Sequence, residues 1–379
     1  MNAKIGCSAT AVLALVVSGC SDRSAPQPTD AGVDSAVCDP AATDDVDLLF
    51  VLDRGPAAHE ARAVLAESMP SGLQALASGD LDLDGVADQA PIGSLHVGVI
   101  TGDLGTSGFA PLGCAPSLAG DGGQLLISGD GAGSCAVEYP RYQTIEPGGT
   151  SASDAAQAVR CIIRNVADGC PISQVLEASL VALAPPDWLF LADLRGQGDG
   201  ANAGFLRPLS ALVIVYLAAS EDCSASRADF LDPTSARYPD PLPLRCATIP
   251  IDLNGRARYL DGLNRLQRVG GRHLFGGIAG IPPDLIASAR EGYQILSDPR
   301  MQQRPSTSDP TRLEPVCQIP PVVMGGRLTS AEPAFRIVDL ATYPGVDGVL
   351  SSICAPDYPS FYRRLGEHIA RAREPTCAR

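Results

Sequence analysis

The run Asp80-Leu81-Asp82-Leu83-Asp84-Gly85-Val86-Ala87-Asp88 sets carboxylates at alternate positions, then a glycine, then one more acid. Carboxylates so spaced offer hard oxygens to a calcium ion at loop positions 1, 3 and 5, with a backbone carbonyl at 7 and a further ligand at 9. Those positions fall on Asp80, Asp82, Asp84, Val86 and Asp88, and Gly85 supplies the sharp turn. Pro91 stands where an EF-hand carries its bidentate glutamate, so the loop is not an EF-hand. Two readings stay open: a short acidic loop filled by external calcium, and a solvated acidic turn. A second candidate ligand is Asp53, which closes the apolar run Val46-Asp47-Leu48-Leu49-Phe50-Val51-Leu52.

Catalytic constellations are missing from the sequence. There is no Gly-x-Ser-x-Gly elbow and no His-Glu-x-x-His. The four histidines are His59, His96, His273 and His368, and His96 and His273 lie inside apolar runs, the setting of a satisfied core histidine. Gly276-Gly277-Ile278-Ala279-Gly280 is glycine-rich but is not a dinucleotide fingerprint.

A formal net charge of −15 argues against nucleic acid and against electrostatic binding to anionic headgroups. Hydrophobic residues make up 45% of the chain, so a proper core can form, and with aromatics at 5% the aliphatic residues must fill it.

The elements that must hold these residues follow from periodicity. Continuous apolar runs at 46–53, 95–101, 211–217 and 272–279 predict buried strands. Helical spacing predicts helices over 58–77, 154–166, 172–184, 258–267 and 358–373, the first kinked or split at Pro70. The glycine-rich stretch 102–149 reads as turns and short strands, and 225–256 and 297–334 as irregular insertions. Strands alternating with helices imply an α/β fold: a doubly wound, mostly parallel sheet with helices on both faces.

The N-terminus carries Lys4, the only lysine, then the apolar run Ala11 to Val17, then Ser18-Gly19-Cys20. This is the layout of a secretory signal, too short in its apolar part to span a bilayer. Cysteine directly after small residues resembles the lipobox of bacterial lipoproteins. The resemblance implies a signal peptide at 1–19, lipidation of Cys20 and a membrane anchor. Ser21 at the following position implies, by the same resemblance, the outer membrane of a Gram-negative envelope. Residues 20–37, poor in bulky apolar side chains, read as a disordered tether, leaving one domain over 38–379.

Export makes the cysteines a disulfide set. Cys7 leaves with the signal and Cys20 takes the lipid, which leaves an even set for five bridges. No close Cys-x₂₋₄-Cys pair supports zinc. Local pairing predicts Cys114–Cys135, Cys161–Cys170, Cys223–Cys246 and Cys317–Cys354, with Cys38–Cys377 joining the two ends of the domain.

Asp47 to Ala57 and the helix behind it resemble the first strand and loop of a von Willebrand factor A domain. His96-Val97-Gly98-Val99-Ile100-Thr101-Gly102-Asp103-Leu104-Gly105, Gln174 to Ala178, Gly204-Phe205-Leu206-Arg207-Pro208 and Ala219-Ser220-Glu221-Asp222-Cys223-Ser224 are similar to landmarks of exported bacterial lipoproteins with such domains. The resemblance implies a divalent-cation site at the carboxyl ends of the strands, with a first motif Asp-x-Ser-x-Ser. Here that motif reads Asp53-Arg54-Gly55-Pro56-Ala57, which keeps only the aspartate. The later aspartate is replaced by Ala218 or Ala219, with acids only at Glu221 and Asp222, and the loop threonine is either Thr106 or Thr150. With Gly55, Ala57 and Ala219 removing oxygen donors, and no nearby hydroxyl placed by sequence to replace them, Asp53 reads as the remnant of a lost site. The implied function is a lipid-anchored binding or scaffold protein that is not an enzyme, acting on a protein partner that the sequence does not identify. The alternatives are a metal-dependent adhesin using Asp53 with Glu221 or Asp222, and an enzyme of unrecognised type built on clustered acids.

The anchor has a direct test. Cys20→Ser is expected to move the protein from the membrane pellet to the soluble fraction and to abolish labelling by a palmitate analogue; a variant that stays in the pellet, beside a wild type that never labels, refutes lipidation.

Overall fold

The computed structural model describes residues 44–188, 195–266, 273–288, 292–321, 326–343 and 345–374. Cys20, Cys38 and Cys377 lie outside the described residues, as do the signal and tether segments.

A six-stranded sheet organises the chain. Its strands are β1 (Asp45–Leu52), β2 (Ser94–Thr101), β3 (Tyr142–Ile145), β4 (Ala211–Ala218), β5 (His273–Ala279) and, after a small hairpin of β6 (Cys317–Ile319) and β7 (Thr329–Ala331), β8 (Asp347–Ser352). The order is β3-β2-β1-β4-β5-β8. All neighbours are parallel except β3, which runs antiparallel to β2 at the edge. This is the expected mostly parallel α/β sheet. The chain winds outward from β1 through β2 to β3, then returns to β4 on the other side of β1. That reversal puts a topological switch point between β1 and β4, where open α/β sheets leave a crevice beyond the carboxyl ends of the strands.

The continuous apolar runs have their physical reason in this burial. Val46, Leu48, Phe50 and Leu52 of β1 pack toward one layer, and Leu49 and Val51 toward the other, all fully buried. The first layer holds α1 (His59–Ser78), α2 (Ala152–Arg164) and α9 (Pro359–Arg373). The second holds α3 (Val175–Leu183), α5 (Arg256–Leu266) and α8 (Phe335–Ala341). The insertion after β4 carries α4 (Leu242–Thr248) and its own small core of Phe230, Leu231, Tyr238, Leu242 and Leu253 around Cys223–Cys246. Short helices α6 (Pro283–Ala287) and α7 (Gly292–Ser297) follow β5.

Three expectations change. Pro70 does not split α1, which stays helical from His59 to Ser78; the ring lies on the exposed side, so no core contact is lost. The stretches read as irregular contain α4, β6 and β7, and β8 is also new. Two of the expected disulfides are wrong. Cys114 pairs with Cys170, not Cys135, and Cys135 pairs with Cys161, so Cys161–Cys170 does not form. β3 begins opposite Gly98 in the middle of β2 and runs antiparallel to end opposite Leu95, and the glycine-rich stretch before it passes along α2 and the connection that follows α2. Cys114 therefore lies over the connection between α2 and α3, and Cys135 lies beside α2 itself. Cys223–Cys246 and Cys317–Cys354 pair as expected.

Non-reducing peptide mapping is expected to recover Cys114 with Cys170 and Cys135 with Cys161. Replacing both members of the latter pair by serine should cost about 3.5 kcal/mol, the chain-entropy value for a loop of that length. A recovered Cys114–Cys135 peptide would contradict the loop path described.

Candidate functional site

Asp53 follows β1 directly at the switch point and is fully buried. Its Oδ1 accepts a hydrogen bond from the Gly55 N–H at 2.8 Å. Its Oδ2 accepts from the N–H groups of Ala219 at 3.1 Å and Ser220 at 3.3 Å, and from the Ser220 hydroxyl at 2.9 Å. One carboxylate thus ties the loop after β1 to the loop after β4 through four neutral donors. Ser220 corrects the expectation of no nearby hydroxyl: one is present, but it donates to Asp53. Gly55 is cramped in this turn, since a Cβ there would stand 3.1 Å from Asp53 Oδ1 and 3.3 Å from Pro171 Cα.

Beside this knot lies the Arg54 guanidinium. Its Nη1 donates to Asp103 at 3.2 Å and to Asp121 at 3.0 Å, and its Nε to the Ala167 carbonyl at 3.2 Å. The Thr101 hydroxyl donates to the same Asp121 carboxylate. Arg62, reaching in from α1 and almost wholly buried, donates to the carbonyls of Asp53 and Gly55 and pairs with Asp168. Two guanidinium groups are thus interleaved with the carboxylates of Asp53, Asp103, Asp121 and Asp168, and each joins loops distant in sequence.

Glu221 and Asp222, the other acids considered as cation ligands, face away from Asp53 into a second network. Buried Glu221 accepts from the N–H groups of Asp222 at 2.8 Å, Phe335 at 2.8 Å and Arg336 at 3.1 Å, and from the Gln303 amide. Burial pushes its carboxyl up to about 8, against the downward pull of the Arg336 guanidinium and backbone donors. Asp222 accepts from the Leu176 N–H at 3.0 Å and the Ser224 hydroxyl at 2.8 Å, and pairs with Arg336 Nε at 3.0 Å. These acids fasten α3 and α8 to the end of β4. Of the two threonines, Thr106 is buried at the carboxyl edge, where its hydroxyl donates to the Phe109 carbonyl at 2.5 Å. Thr150 follows β3, whose last residue pairs with Leu95 near the start of β2, so it sits at the amino edge.

The acidic loop is different. Asp80, Asp82 and Asp88 each bring a carboxylate oxygen within 4.8 Å of the others, while Asp84 is outside that set. Asp80 accepts from the N–H groups of Asp84 at 3.1 Å and Gly85 at 2.9 Å, and Asp88 from that of Leu81 at 2.8 Å. Asp84 instead receives the Val86 N–H at 2.8 Å, and the Val86 side chain is exposed. Asp82 also pairs with Arg363 at 3.2 Å. Three hard-oxygen groups meet on the surface, a partial ligand set for calcium.

The histidines are held in place by other groups. His96 Nδ1 donates to the Phe205 carbonyl at 2.9 Å, and the ring lies 4.6 Å from that of Tyr142. His59 pairs with Asp168, and His368 with Asp347. The Gly204–Pro208 motif has a structural role: Arg207 donates to buried Asp47 on β1, to the Val46 carbonyl and to Ser94. Sequence reasoning missed the partners Asp121, Asp168, Gln303 and Arg336, which lie in none of the motifs, and gave no role to Asp103 within the His96–Gly105 motif. Comparison with known proteins gives no likeness: no protein family, no curated protein and no solved structure matches the chain.

Glu221 generates a pH dependence. Between the ordinary carboxyl value of 4.5 and about 8 the folded chain holds a proton that the unfolded chain has released. Stability therefore falls as pH rises through that window. Glu221→Gln, which removes the titration, is expected to flatten most of this decline in denaturant midpoints measured between about pH 5 and about pH 8. Equal slopes for the two proteins would mean that Glu221 is ionised in the fold.

Proposed function

We propose that the chain is an exported, lipid-anchored binding or scaffold protein built on a von Willebrand A-like domain whose strand-end cation site has given way to hydrogen bonds within the protein. The observation that carries this reading is the Asp53 carboxylate, with both oxygens taken by protein donors and a guanidinium alongside. A sheet with its switch point at Asp53 and an antiparallel strand at one edge agrees with a von Willebrand A-like fold. The anchor is Cys20, the destination is the outer membrane of a Gram-negative envelope, and the partner is a protein. A strongly acidic chain does not suit nucleic acid.

Convergence of Asp80, Asp82 and Asp88 favours a second, separate reading at another place: a surface loop that takes calcium at the concentrations found outside cells. It leaves the Asp53 reading untouched, since the residues are different.

Titration of the purified protein with Mg²⁺ or Mn²⁺ tests the main reading. No saturable isotherm below millimolar is expected for wild type or for Asp53→Ala, and Asp53→Ala should be destabilised by roughly 1–3 kcal/mol because its buried donors lose their acceptor. A submillimolar isotherm that vanishes in Asp53→Ala would establish a working metal-dependent adhesin instead. Calcium binding lost in Asp80→Asn but kept in Asp53→Ala would belong to the surface loop alone.

A further inference from the structure

Asn254 and Gly255 join the insertion after β4 to α5 and belong to no helix or strand. Leu253 before them bridges to Ala225, and α5 begins directly after them at Arg256. An asparagine followed by glycine sets an electrophile beside a nucleophile: the Asn254 side-chain carbonyl carbon and the Gly255 backbone nitrogen. Closing a succinimide ring between them needs a nitrogen that is uncrowded and not committed to an acceptor, in a backbone free to turn. Gly255 meets these conditions. It is exposed, a Cβ built on it would meet nothing within 4 Å, and its N–H has no acceptor among the described residues. Glycine alone brings no Cβ of its own to crowd that nitrogen.

The other asparagines of the described residues lack this setting. Asn165 and Asn202 are followed by Val166 and Ala203, whose N–H groups donate to the carbonyls of Ile163 at 3.1 Å and Gly200 at 3.2 Å. Asn264 lies inside α5, where the helix fixes the backbone. The side chain of Asn254 is held by one end. Its Nδ2 donates to Glu177 Oε2 at 3.1 Å, while its Oδ1 receives no donor among the described residues. Glu177 thus holds the nitrogen that departs in ring closure, and the carbonyl carbon stays open.

We propose that Asn254 is a modification site, which the folded chain converts to aspartate or isoaspartate with water as the only co-reactant. The Gly255 nitrogen gives its proton to solvent and bonds to Asn254 Cγ. The Cγ–Nδ2 bond breaks, and Nδ2 takes a proton from solvent and leaves as ammonia. Water then opens the ring at one carbonyl or the other, and nothing is oxidised or reduced. The position gives the change its consequence. Asn254 donates its N–H to the Ser224 carbonyl at 2.9 Å and accepts from Arg336 Nη2 at 2.6 Å, and Glu177 of α3 holds Arg258 of α5 at 2.7 Å. Both products lose the amide donor and add a carboxylate beside Glu177, where like charges repel. Isoaspartate also lengthens the main chain between the Ser224 and Arg336 contacts. Conversion therefore unfastens the insertion from α3, α5 and α8. The inference does not depend on the lipid anchor or on Asp53, because it uses none of their residues.

The test incubates the full-length folded protein at mildly alkaline pH, digests it in acid and follows the peptide spanning 254–255 by mass spectrometry. The same peptide incubated free serves as the reference clock. Loss of ammonia followed by uptake of water is expected at Asn254 in the folded protein, with Asn165, Asn202 and Asn264 unchanged. Gly255→Ala should slow the conversion at least severalfold; the methyl has room, and the φ of Gly255 lies outside the left-handed region. Asn254→Asp should lower the denaturant midpoint more than Asn254→Ala does, since alanine removes the hydrogen bonds without adding charge. The proposal is overturned by a folded protein that keeps Asn254 intact while the free peptide converts, or by a Gly255→Ala variant that converts at the wild-type rate. An Asn254→Asp variant no less stable than Asn254→Ala would overturn the unfastening.

Discussion

The Asp53 carboxylate is shared between the loops that follow β1 and β4, and the arrangement of the carboxyl edge depends on that sharing. The chain leaves β1 toward one side of the sheet and returns to β4 on the other, so nothing in the connectivity holds these two exits together beyond the strands. Two backbone N–H groups and a hydroxyl from 219–220, with the N–H of Gly55, converge on one buried acid and close the gap. A buried carboxylate needs that number of donors, since desolvation without them would cost more than the fold can spare. The same requirement excludes bulk at Gly55.

Arginine supplies the next level of order. Arg54 joins the loops after β1 and β2 to the connection before α3, Arg62 ties α1 to the Asp53 turn, Arg207 clasps the amino ends of β1 and β2, and Arg336 brings α8 to Asp222. Each guanidinium offers five donors in a fixed plane, which lets one side chain serve several carbonyls and carboxylates from different loops. Long glycine- and proline-rich connections carry few apolar residues to bury. Polar clamps and the disulfides Cys114–Cys170 and Cys135–Cys161 therefore hold what a hydrophobic core cannot.

The buried strands were legible because they are covered on both faces and so read as unbroken apolar runs; β1 and β4 fall within a residue or two of their expected limits. β8 was not legible, since Asp-Gly-Val-Leu-Ser-Ser has neither a continuous run nor a clean alternation. It becomes a strand because β5 offers it a parallel edge, a tertiary reason invisible in its own residues. The disulfide exchange has a similar origin. Sequence separation favours Cys114 with Cys135, but the glycine-rich stretch passes along α2 and the connection after it, and that path decides which thiols meet. At the site, Asp53 was legible as the end of a strand, whereas Ser220 becomes its neighbour, and Asp121 that of Arg54, only once the sheet closes. The acidic loop was legible as a turn because its hydrogen bonds join residues a few positions apart, yet alternate spacing alone did not tell that Asp84 stays outside the set formed by Asp80, Asp82 and Asp88.

Two groups of acids on one chain therefore face a cation very differently. For an ion to reach Asp53, protein donors would have to be displaced from both oxygens, each hydrogen bond worth roughly 0.5–1.5 kcal/mol and most of the donors left buried afterwards. At Asp80, Asp82 and Asp88 the backbone N–H groups occupy only part of each carboxylate's capacity, and a carboxylate can accept about four hydrogen bonds. Oxygen lone pairs remain there for a ligand, in water, with only a half-exposed arginine to displace. The difference between the two sets of acids is one of partners: Asp53 has both oxygens taken by protein donors, and the loop acids keep open capacity in water.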